Sequence, residues 1–242
     1  VLSKINLIND FYRMSSKLFL IPSPIGENLP IETLPISIKK TISNLKFFIV
    51  ENEKEARRFI KKICPEKVQS ELRLEKLNKH TEMANVENFL NPCIMGKNMG
   101  LISDSGCPSI ADPGSIIIEK AHQLGIIVKP LAGPSSIIMA MMSSGMNGQN
   151  FAFNGYLPIE KNSRKKMIKY FEYKSNKENQ SQIFIETPYR NETVYKELIN
   201  SLKSKTQLCI ACNITEPDEF IKTCSISDWK KKKCKIPKRP AI

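Results

Sequence analysis

The sequence predicts an α/β protein with two domains, the first built on a mostly parallel sheet and the second on a mixed sheet. Up to about residue 150, apolar strand-like runs alternate with helix-like runs, which is the pattern of a parallel sheet with crossover helices. After Gly145, the last two strand-like runs are separated only by the turn TEPD, as in a hairpin. We therefore assign residues 1–16 to an amino-terminal extension, 17–133 to one α/β domain and 134–242 to a second.

The first domain has five predicted strands joined by helices. The strands are KLFLI (17–21), LKFFIVE (45–51), LRLEKL (72–77), NMGLIS (98–103) and IIVKPL (126–131). Three of the helices are LPISIKKTISN (34–44), EKEARRFIKKI (53–63) and TEMANVENFLNPCI (81–94). A fourth helix is predicted to start with Asp112 as its N-cap and Pro113 as its first residue, and to stop at Gly125. Helical spacing is clear in the second of these, where Ala56, Phe59, Ile60 and Ile63 share one face.

The second domain begins with the apolar helix IIMAMMSS, whose stripe of Ile137, Ile138, Met141 and Met142 is predicted to pack in the core. The other predicted elements are the strand FAFNGYLP (151–158), a charged helix over 160–178, the strand SQIFIETP (181–188), the helix YRNETVYKELINSL (189–202), and the strands QLCIACNI (207–214) and EFIKTCSI (219–226). We interpret the segment KRPAI (238–242) as an edge strand.

Charge and cysteine content narrow the class of protein. Lys and Arg number 37 against 24 Asp and Glu, and the net charge of 37 − 24 = +13 favours an anionic partner such as nucleic acid. The same lysines also fit a solvated surface in a chain rich in Lys, Ile and Asn. No apolar run approaches the roughly 20 residues of a membrane helix. The seven scattered cysteines indicate a reduced, cytoplasmic protein, and we expect no metal site.

Gly/Pro turns follow three of the predicted strands and carry the candidate chemistry. They are PSPIG (22–26), SDSGCPSIADPG (103–114) and AGPSS (132–136). The phosphate motif GxxxxGK[ST] is absent from the sequence, and no GxGxxG follows the first strand. Because the carboxyl ends of parallel strands meet at one edge of a sheet, the turns predict a ligand cleft at that edge.

Five stretches match a known family in order and spacing. LFLIPSPIG, GLISDSGCPSIADPG, VKPLAGPSSIIMAMMSSG, FAFNGYLP and IFIETPYRN resemble the successive motifs of the tetrapyrrole methylase superfamily, over about residues 17–225. The chain is most similar to the ribosomal RNA small-subunit methyltransferase I branch, whose members methylate the 2′-oxygen of a cytidine ribose. The resemblance implies a two-domain tetrapyrrole methylase fold, S-adenosylmethionine bound in the cleft between the domains, a homodimer, and ribosomal RNA or the small ribosomal subunit as partner.

The resemblance also implies a set of cofactor-binding residues. Those in the first domain are Pro24, Ser105, Gly106, Cys107 and Ile110, and those in the second are Ser135, Ser136, Glu186 and Thr215. Loop residues of this kind are small because backbone N–H and C=O groups must reach a ligand that carries its own reactive methyl group.

Two carboxylates are candidates for a catalytic base. A ribose hydroxyl is a poor nucleophile, and Glu51 and Asp104, each at the carboxyl end of a predicted strand, are placed to remove its proton. Alternatively, Glu51 caps the helix that starts at residue 53, and Asp104 is a loop-shaping carboxylate that accepts backbone N–H bonds. Arg190 is the candidate substrate-binding residue for a phosphate, and the alternative is a salt bridge to Glu186 or Glu192.

Departures from the family pattern leave the acceptor open. SDSGCP stands where the family has SDAGTP, ETPYR stands where it has ESPHR, and VENEKEARR keeps Glu51 but lacks the aspartate of AEDTR. These changes affect the acceptor side more than the cofactor side. Methylation of a tetrapyrrole or another small molecule, a divergent paralogue with another substrate, and a cofactor-binding module without turnover are therefore the alternatives.

Overall fold

A computed structural model of the chain describes residues 16–26, 31, 34–77, 83–232 and 234–242. The predicted amino-terminal extension lies outside the described residues except for Ser16. The chain divides into two compact units, and each is presented by itself. Of the described residues, 16–25, 31 and 34–134 belong to the first unit, and residue 26 with 135–242 belongs to the second.

The first unit contains a five-stranded sheet in the order β3-β2-β4-β1-β5. Its strands are β1 (Lys17–Ile21), β2 (Phe47–Val50), β3 (Arg73–Lys76), β4 (Met99–Ile102) and β5 (Ile127–Pro130). Every pair of neighbours is parallel, so the sequence prediction of a parallel sheet with these five strands is confirmed. The central strand β4 is buried at all four positions, as expected for a strand covered on both faces.

Helices cover both faces of this sheet. They are α1 (Ile36–Ser43), α2 (Glu53–Ile63), α3 (Met83–Phe89), α4 (Asn91–Ile94) and α5 (Ser115–Gln123), and a 3₁₀ turn spans Gln69–Glu71. α1 and α2 pack with Phe48 and Val50 of β2 on one face. Residues of α3, α4 and α5 pack with Ile49 and Leu101 on the other. The predicted apolar face of α2 is confirmed, because all four of its residues are buried.

Two helix predictions in the first unit are wrong in their limits. The helix predicted over 81–94 is divided at Leu90, because Pro92 lies in the first turn of α4 and has no N–H to continue the preceding helix. The helix predicted to start at Asp112 begins at Ser115, with Gly114 as its N-cap. The carboxylate of Asp112 instead accepts hydrogen bonds from the loop.

The described residues of the second unit form two pairs of strands and four helices. Its elements are α6 (Ser136–Ser144), β6 (Phe151–Tyr156), α7 (Lys161–Glu178), β7 (Ser181–Ile185), α8 (Asn191–Ser201), β8 (Gln207–Cys212), β9 (Phe220–Ser225) and α9 (Ile226–Lys232). β6 and β7 are parallel, whereas β8 and β9 are antiparallel, so the predicted mixture of directions is confirmed. The core contains Trp229, which is fully buried, contacts the ring of Tyr195 edge-on, and donates from Nε1 to the carbonyl of Leu208 at 2.9 Å.

Two further predictions in the second unit are corrected. KRPAI is not an edge, because Ala241 bridges both Glu186 after β7 and Cys212 of β8 in antiparallel fashion. In α6, Ile137 and Met141 are buried as predicted, but Ile138 is 46% and Met142 is 78% exposed. Residues one apart on a helix point about 100° apart, so only half of the stripe faces the core.

Candidate functional site

Three loops follow β1, β4 and β5, which are neighbours in the sheet of the first unit. The first two are joined by a hydrogen bond from the N–H of Ser23 to the carbonyl of Gly106, at 3.0 Å. The thiol of Cys107 lies 3.3 Å from the carbonyl of Pro134 and donates to it, which joins the second loop to the third. The sequence-predicted Gly/Pro turns therefore come together at the carboxyl edge of the sheet.

Glycines allow these loops to pack closely. Gly106 has a φ of +74°, in the left-handed region that favours glycine, and a Cβ there would lie 3.4 Å from the Pro134 carbonyl oxygen. At Gly133 a Cβ would lie 2.2 Å from the Cβ of Pro22, which no side chain tolerates. The two glycines therefore bring the main chains of the three loops close together at the sheet edge.

Ser23 is a residue that the sequence interpretation missed. Its hydroxyl is buried and has no hydrogen-bond partner among the residues that the structure describes. A buried hydroxyl without a partner is costly, so such groups commonly mark the position of a bound ligand or water. Its place between two prolines at the end of β1 was the available signal.

Glu51 and Asp104 are brought together by their neighbouring strands, β2 and β4. The carboxylate of Glu51 accepts a hydrogen bond from the N–H of Asp104 at 3.0 Å. The carboxylate of Asp104 accepts one from the N–H of Asn52 at 3.2 Å. Asn52, and not Glu51, caps α2, because its side chain accepts from Lys54 and Glu55. The capping alternative for Glu51 is therefore wrong, whereas Asp104 does accept a backbone N–H as its alternative stated.

Burial raises the pKa of both carboxyl groups. For Glu51 desolvation is the main cause, opposed by the hydrogen bond from Asp104, and the negative charges of Asp112 and Asp104 raise the pKa further. For Asp104 desolvation again raises the pKa most, against the hydrogen bond from Asn52. A carboxylate whose pKa moves toward neutrality is a better proton acceptor.

Asp112 completes this acidic group. Its carboxylate accepts from the N–H groups of Ser109 at 2.8 Å and Gly114 at 2.7 Å. These bonds hold a loop in which Ser109 and Ala111 have positive φ angles of 70° and 63°. Desolvation raises the pKa of Asp112 as well. In the sequence Asp112 has the pattern of a helix start only, and no periodicity signals its proximity to Glu51.

The other predicted cofactor residues of the first unit line the same loops. Pro24 and Cys107 are half-buried, whereas Ser105 is exposed. Ile110 is 49% exposed, so its apolar side chain is accessible from solvent. The Ser103 hydroxyl donates to the Ser105 carbonyl at 2.9 Å and accepts from its N–H at 3.2 Å, which shapes the turn before Gly106.

The remaining predicted residues lie in the second unit. Ser135 caps α6, with its hydroxyl accepting from Ile138 at 3.5 Å, and Ser136 is the first residue of that helix. Thr215 has a φ of 75°, and its N–H donates to Glu219 at 2.7 Å. These contacts neither support nor exclude a role in binding, so the assignments stay predictions.

Arg190 and Glu186 form an ion pair at the end of β7. The guanidinium lies 3.2 Å from the Glu186 carboxylate and also donates to the carbonyls of Leu157 and Pro158. The salt-bridge alternative for Arg190 is thus what the structure shows. Its assignment to a substrate phosphate, and that of Glu186 to the cofactor, stay predictions.

Metal ligation finds no support among the residues described here, since no group of three or more His, Cys, Asp or Glu side chains could hold an ion. The seven cysteines are free. No helix in the described ranges is long and apolar enough to cross a membrane. Two residues of interest in the sequence, His80 between the third strand and the next helix and Lys233 at the end of four consecutive lysines, lie outside the described residues.

Comparison with curated proteins finds relatives named ribosomal RNA small subunit methyltransferase I. The chain is 29% identical over 204 residues to the ribosomal RNA small subunit methyltransferase I of Buchnera aphidicola subsp. Schizaphis graminum. This alignment covers 84% of the present chain and 67% of the relative. It is 28% identical over 221 residues to the enzyme of the same name from Thermotoga maritima, and that alignment covers 90% of the present chain and 93% of the relative. The chain is a homologue of these methyltransferases. No family model matches it.

Solved structures agree on the fold. The methyltransferase CobJ superposes with a TM-score of 0.61 at 15% identity, over 94% of this chain and 92% of that one. The cobalt precorrin-4 methyltransferase CbiF gives 0.56 at 15% identity, over 92% and 89%. The predicted two-domain tetrapyrrole methylase fold is confirmed. So are the predictions of a methyltransferase and of S-adenosylmethionine as its methyl donor.

Proposed function

We propose that this methyltransferase acts on the 2′-oxygen of a cytidine ribose in small-subunit ribosomal RNA, as a cytoplasmic homodimer. The names of its relatives and the net charge of +13 support an RNA substrate. The single observation that carries the chemistry is the pair formed by Glu51 and Asp104, two carboxylates of raised pKa at adjacent strand ends.

The loops of the first unit fit a ligand held by main-chain groups. Gly106 and Gly133 let the main chains of the loops approach one another closely, and Ser23 offers a buried hydroxyl without a partner in the described structure. S-adenosylmethionine, when bound, supplies an activated methyl group. We propose that it is held by the cofactor residues predicted from the sequence: Pro24, Ser105, Gly106, Cys107, Ile110, Ser135, Ser136, Glu186 and Thr215.

Within this proposal Glu51 is the base and Asp104 supports it. Asp104 orients Glu51 through its own N–H and braces the start of α2 by accepting from Asn52. Glu51 retains a carboxylate oxygen that this hydrogen bond does not use. Desolvation and the nearby charge of Asp112 raise its affinity for a proton, which favours removal of the hydroxyl proton as transfer proceeds.

The test is methyl transfer by the purified protein to naked small-subunit ribosomal RNA and to the assembled small subunit. Methylated nucleotides are mapped by mass spectrometry after nuclease digestion. We expect one 2′-O-methylcytidine, with RNA affinity that falls steeply as salt rises, because Lys and Arg displace counterions from phosphates.

Transfer to a tetrapyrrole instead of RNA, or cofactor binding without transfer to either, would replace this proposal with one of its alternatives. Methylation of a base rather than a ribose would support RNA as the substrate but would contradict the 2′-oxygen as the acceptor atom. Sedimentation of a single copy at assay concentration would contradict the homodimer.

A further inference from the structure

Helix α7 of the second unit has two faces of different chemistry. Arg164, Ile168 and Glu172 are buried at intervals of four residues, and the last two border a groove between β7 and β8. A helix turns by about 100° per residue, so residues 166, 170, 173 and 177 lie on the side opposite this buried face. That side carries five residues that we call the α7 stripe: Lys166, Lys169, Tyr170, Tyr173 and Lys177.

The two tyrosines of the stripe leave much of their surface in solvent. Tyr170 is 54% and Tyr173 is 59% exposed, and residues three apart are neighbours on a helix surface. The ammonium group of Lys177 lies 5.6 Å from the centre of the Tyr173 ring, where a cation is attracted to the ring face. Exposed aromatic rings next to lysines are the combination with which proteins stack unpaired bases and hold the phosphates between them.

The stripe contains no carboxylate that would neutralise its lysines. The two glutamates of α7 are engaged elsewhere, because Glu172 is buried on the opposite face and Glu178 pairs with Lys174. Lys166 acts electrostatically on Glu160, which lies before the first turn, and the stripe lysines form no ion pair within the described residues. The stripe is therefore positively charged along its whole length.

The exposed face of α2 shows the usual alternative for a solvated helix. There Arg57 pairs with Glu53, four residues away, and such pairs of opposite charge stabilise a helix. Like charges at these spacings destabilise it, and α7 has Lys165, Lys166 and Lys169 three and four residues apart. Contact with water leaves this repulsion in place, whereas contact with a polyanion removes it.

We propose that the α7 stripe is the surface on which the substrate RNA docks outside its methylated nucleotide. An unpaired base stacks on Tyr170 or Tyr173, and Lys166 and Lys169 hold the flanking phosphates. The inference rests on the proposed function, which makes RNA the substrate. From residue 166 to residue 177 the stripe is about 16 Å long, several times the roughly 3.4 Å per nucleotide of one duplex strand. Stacking on aromatic side chains is how single-stranded RNA is commonly recognised.

RNA fits the stripe better than a second copy of this chain does. Interfaces between proteins are depleted of lysine, whereas three of the five stripe residues are lysines. Each copy carries a net charge of +13, so a contact between two such stripes would bring like charges together.

The test measures the affinity of the protein, saturated with S-adenosylmethionine, for naked small-subunit ribosomal RNA over a range of salt concentrations. Tyr170→Ala with Tyr173→Ala should weaken RNA binding about tenfold or more through lost stacking. Tyr170→Phe with Tyr173→Phe should bind nearly as well as the unaltered protein, because phenylalanine keeps the ring face. Lys166→Gln with Lys169→Gln should reduce the slope of log affinity against log salt by about two, roughly one for each lost phosphate contact.

Lys61→Gln with Lys62→Gln is the matched control. It removes the same charge from two exposed lysines in the last turn of α2, in the other unit, and should change the salt slope by less than half as much. For every variant we expect unchanged affinity for S-adenosylmethionine and an unchanged rate of methyl transfer at saturating RNA. Only the stripe variants should show a raised KM for RNA.

The outcomes separate this proposal from the proposed function. Stripe variants that bind RNA as the control does would overturn the docking surface and leave RNA as the substrate, whereas an unaltered protein that neither binds nor methylates RNA would overturn both. Joint loss of affinity for RNA and for S-adenosylmethionine would assign the stripe side chains to the fold and overturn the proposal. Sedimentation of the tyrosine variants as a smaller species would assign the stripe to an interface between copies and would equally overturn it.

Discussion

The carboxyl edge of the five-stranded sheet and that of the β6–β7 pair are built by different means. In the first unit, the loops after β1, β4 and β5 are joined through main-chain carbonyls, as in the Ser23–Gly106 bond. In the second unit, the loops after β6 and β7 are held by a side chain, since Arg190 binds Glu186 and the carbonyls of Leu157 and Pro158. The first arrangement depends on hydrogen bonds to peptide groups, and the second depends on the charged side chains of Arg190 and Glu186.

The carboxylates of the two units respond oppositely to their surroundings. Burial near other acids raises the pKa of Glu51, Asp104 and Asp112 in the first unit. In the second, the hydrogen bond from Arg164 is the main cause that lowers the pKa of Glu197. A raised pKa suits proton transfer, whereas a lowered one marks a charge that stabilises the fold. The difference fits our proposal that a carboxylate of the first unit accepts a proton, whereas the buried pair of Arg164 and Glu197 stabilises the fold.

The largest expected effect concerns the ion pair in the second unit. Arg164 is 7% exposed and binds Glu197 with two nitrogens, one of them at 2.7 Å. Glu197→Ala leaves that guanidinium buried with only carbonyl partners, and we expect it to lower the free energy of unfolding by about 3 kcal/mol in urea titrations.

Two controls sharpen this prediction. Lys196→Ala breaks the exposed pair with Glu192 on the same helix and should cost less than about 1 kcal/mol. The double variant Arg164→Met with Glu197→Leu should recover most of the stability, because it removes both charges together. Equal decreases in the free energy of unfolding for the exposed and the buried pair would show that charge burial does not distinguish them.

The second prediction concerns catalysis. Glu51→Gln preserves shape and the hydrogen bond from Asp104 but removes the base, so single-turnover methyl transfer should slow by roughly a hundredfold or more at saturating cofactor. Cofactor affinity should stay nearly unchanged. Asp104→Asn should also weaken cofactor binding, because Asp104 adjoins the loop of residues 105–107.

Glu71→Gln is the matched control, since Glu71 is an exposed carboxylate paired with Lys46 before β3, at the opposite edge of the sheet. It should transfer methyl groups at the rate of the unaltered protein. Full-speed transfer by both Glu51→Gln and Asp104→Asn would remove the carboxylate base from the mechanism.

The third prediction tests the cofactor loop with two exposed isoleucines. Ile110 is 49% exposed in the loop after β4, and Ile127 is 41% exposed at the start of β5, at the other edge of the same sheet. Ile110→Glu should weaken S-adenosylmethionine binding about tenfold in calorimetry through lost apolar contact. Ile127→Glu should leave it unchanged, and equal affinities of the two variants would remove Ile110 from the site.

The smallest effect is a difference in pH response. A carboxyl whose folded pKa is raised destabilises the fold while ionised, so the first unit should gain stability as pH falls through the raised pKa values of Glu51, Asp104 and Asp112 toward about 4. Glu197, whose folded pKa is lowered, contributes stability at pH values above its unfolded pKa. This contribution is lost as pH falls through the folded pKa.

Native-state amide exchange, corrected for intrinsic rates, separates the units. Strand β4 should become better protected as pH falls from neutral toward the unfolded carboxyl pKa of about 4, whereas α8 should lose protection only as pH falls below that value. A parallel response of both units would contradict the contrast in their carboxylates.

Much of the first unit could be predicted from its sequence because its signals are local. Strands that are apolar at successive positions, such as β4, and helices with one apolar face, such as α2, carry their burial in the residue pattern. The loops after β1, β4 and β5 were identified from glycine and proline, whose backbone limits hold in any context. Glu51 and Asp104 followed from their places at strand ends.

The second unit was less predictable because its decisive contacts join distant residues. Nothing in KRPAI signals that Ala241 lies between Glu186 and Cys212, since edge and central strands differ in their partners rather than in their composition. The exposure of Met142 likewise depends on what packs against α6. Asp112 has the pattern of a helix cap, and only the folded loop directs its carboxylate to Ser109 and Gly114.

The sequence by itself determined the alternation of strands and helices, the turns that follow three strands, and the family resemblance, because each depends on residues close together in the chain. The tertiary structure alone decided that Glu51 receives the Asp104 N–H, that the Ser23 hydroxyl is buried without a partner in the described residues, and that β7 and β8 face a common groove. The physical reason is that hydrogen bonds, desolvation and strand order arise between segments that are remote in sequence, and no local propensity encodes them.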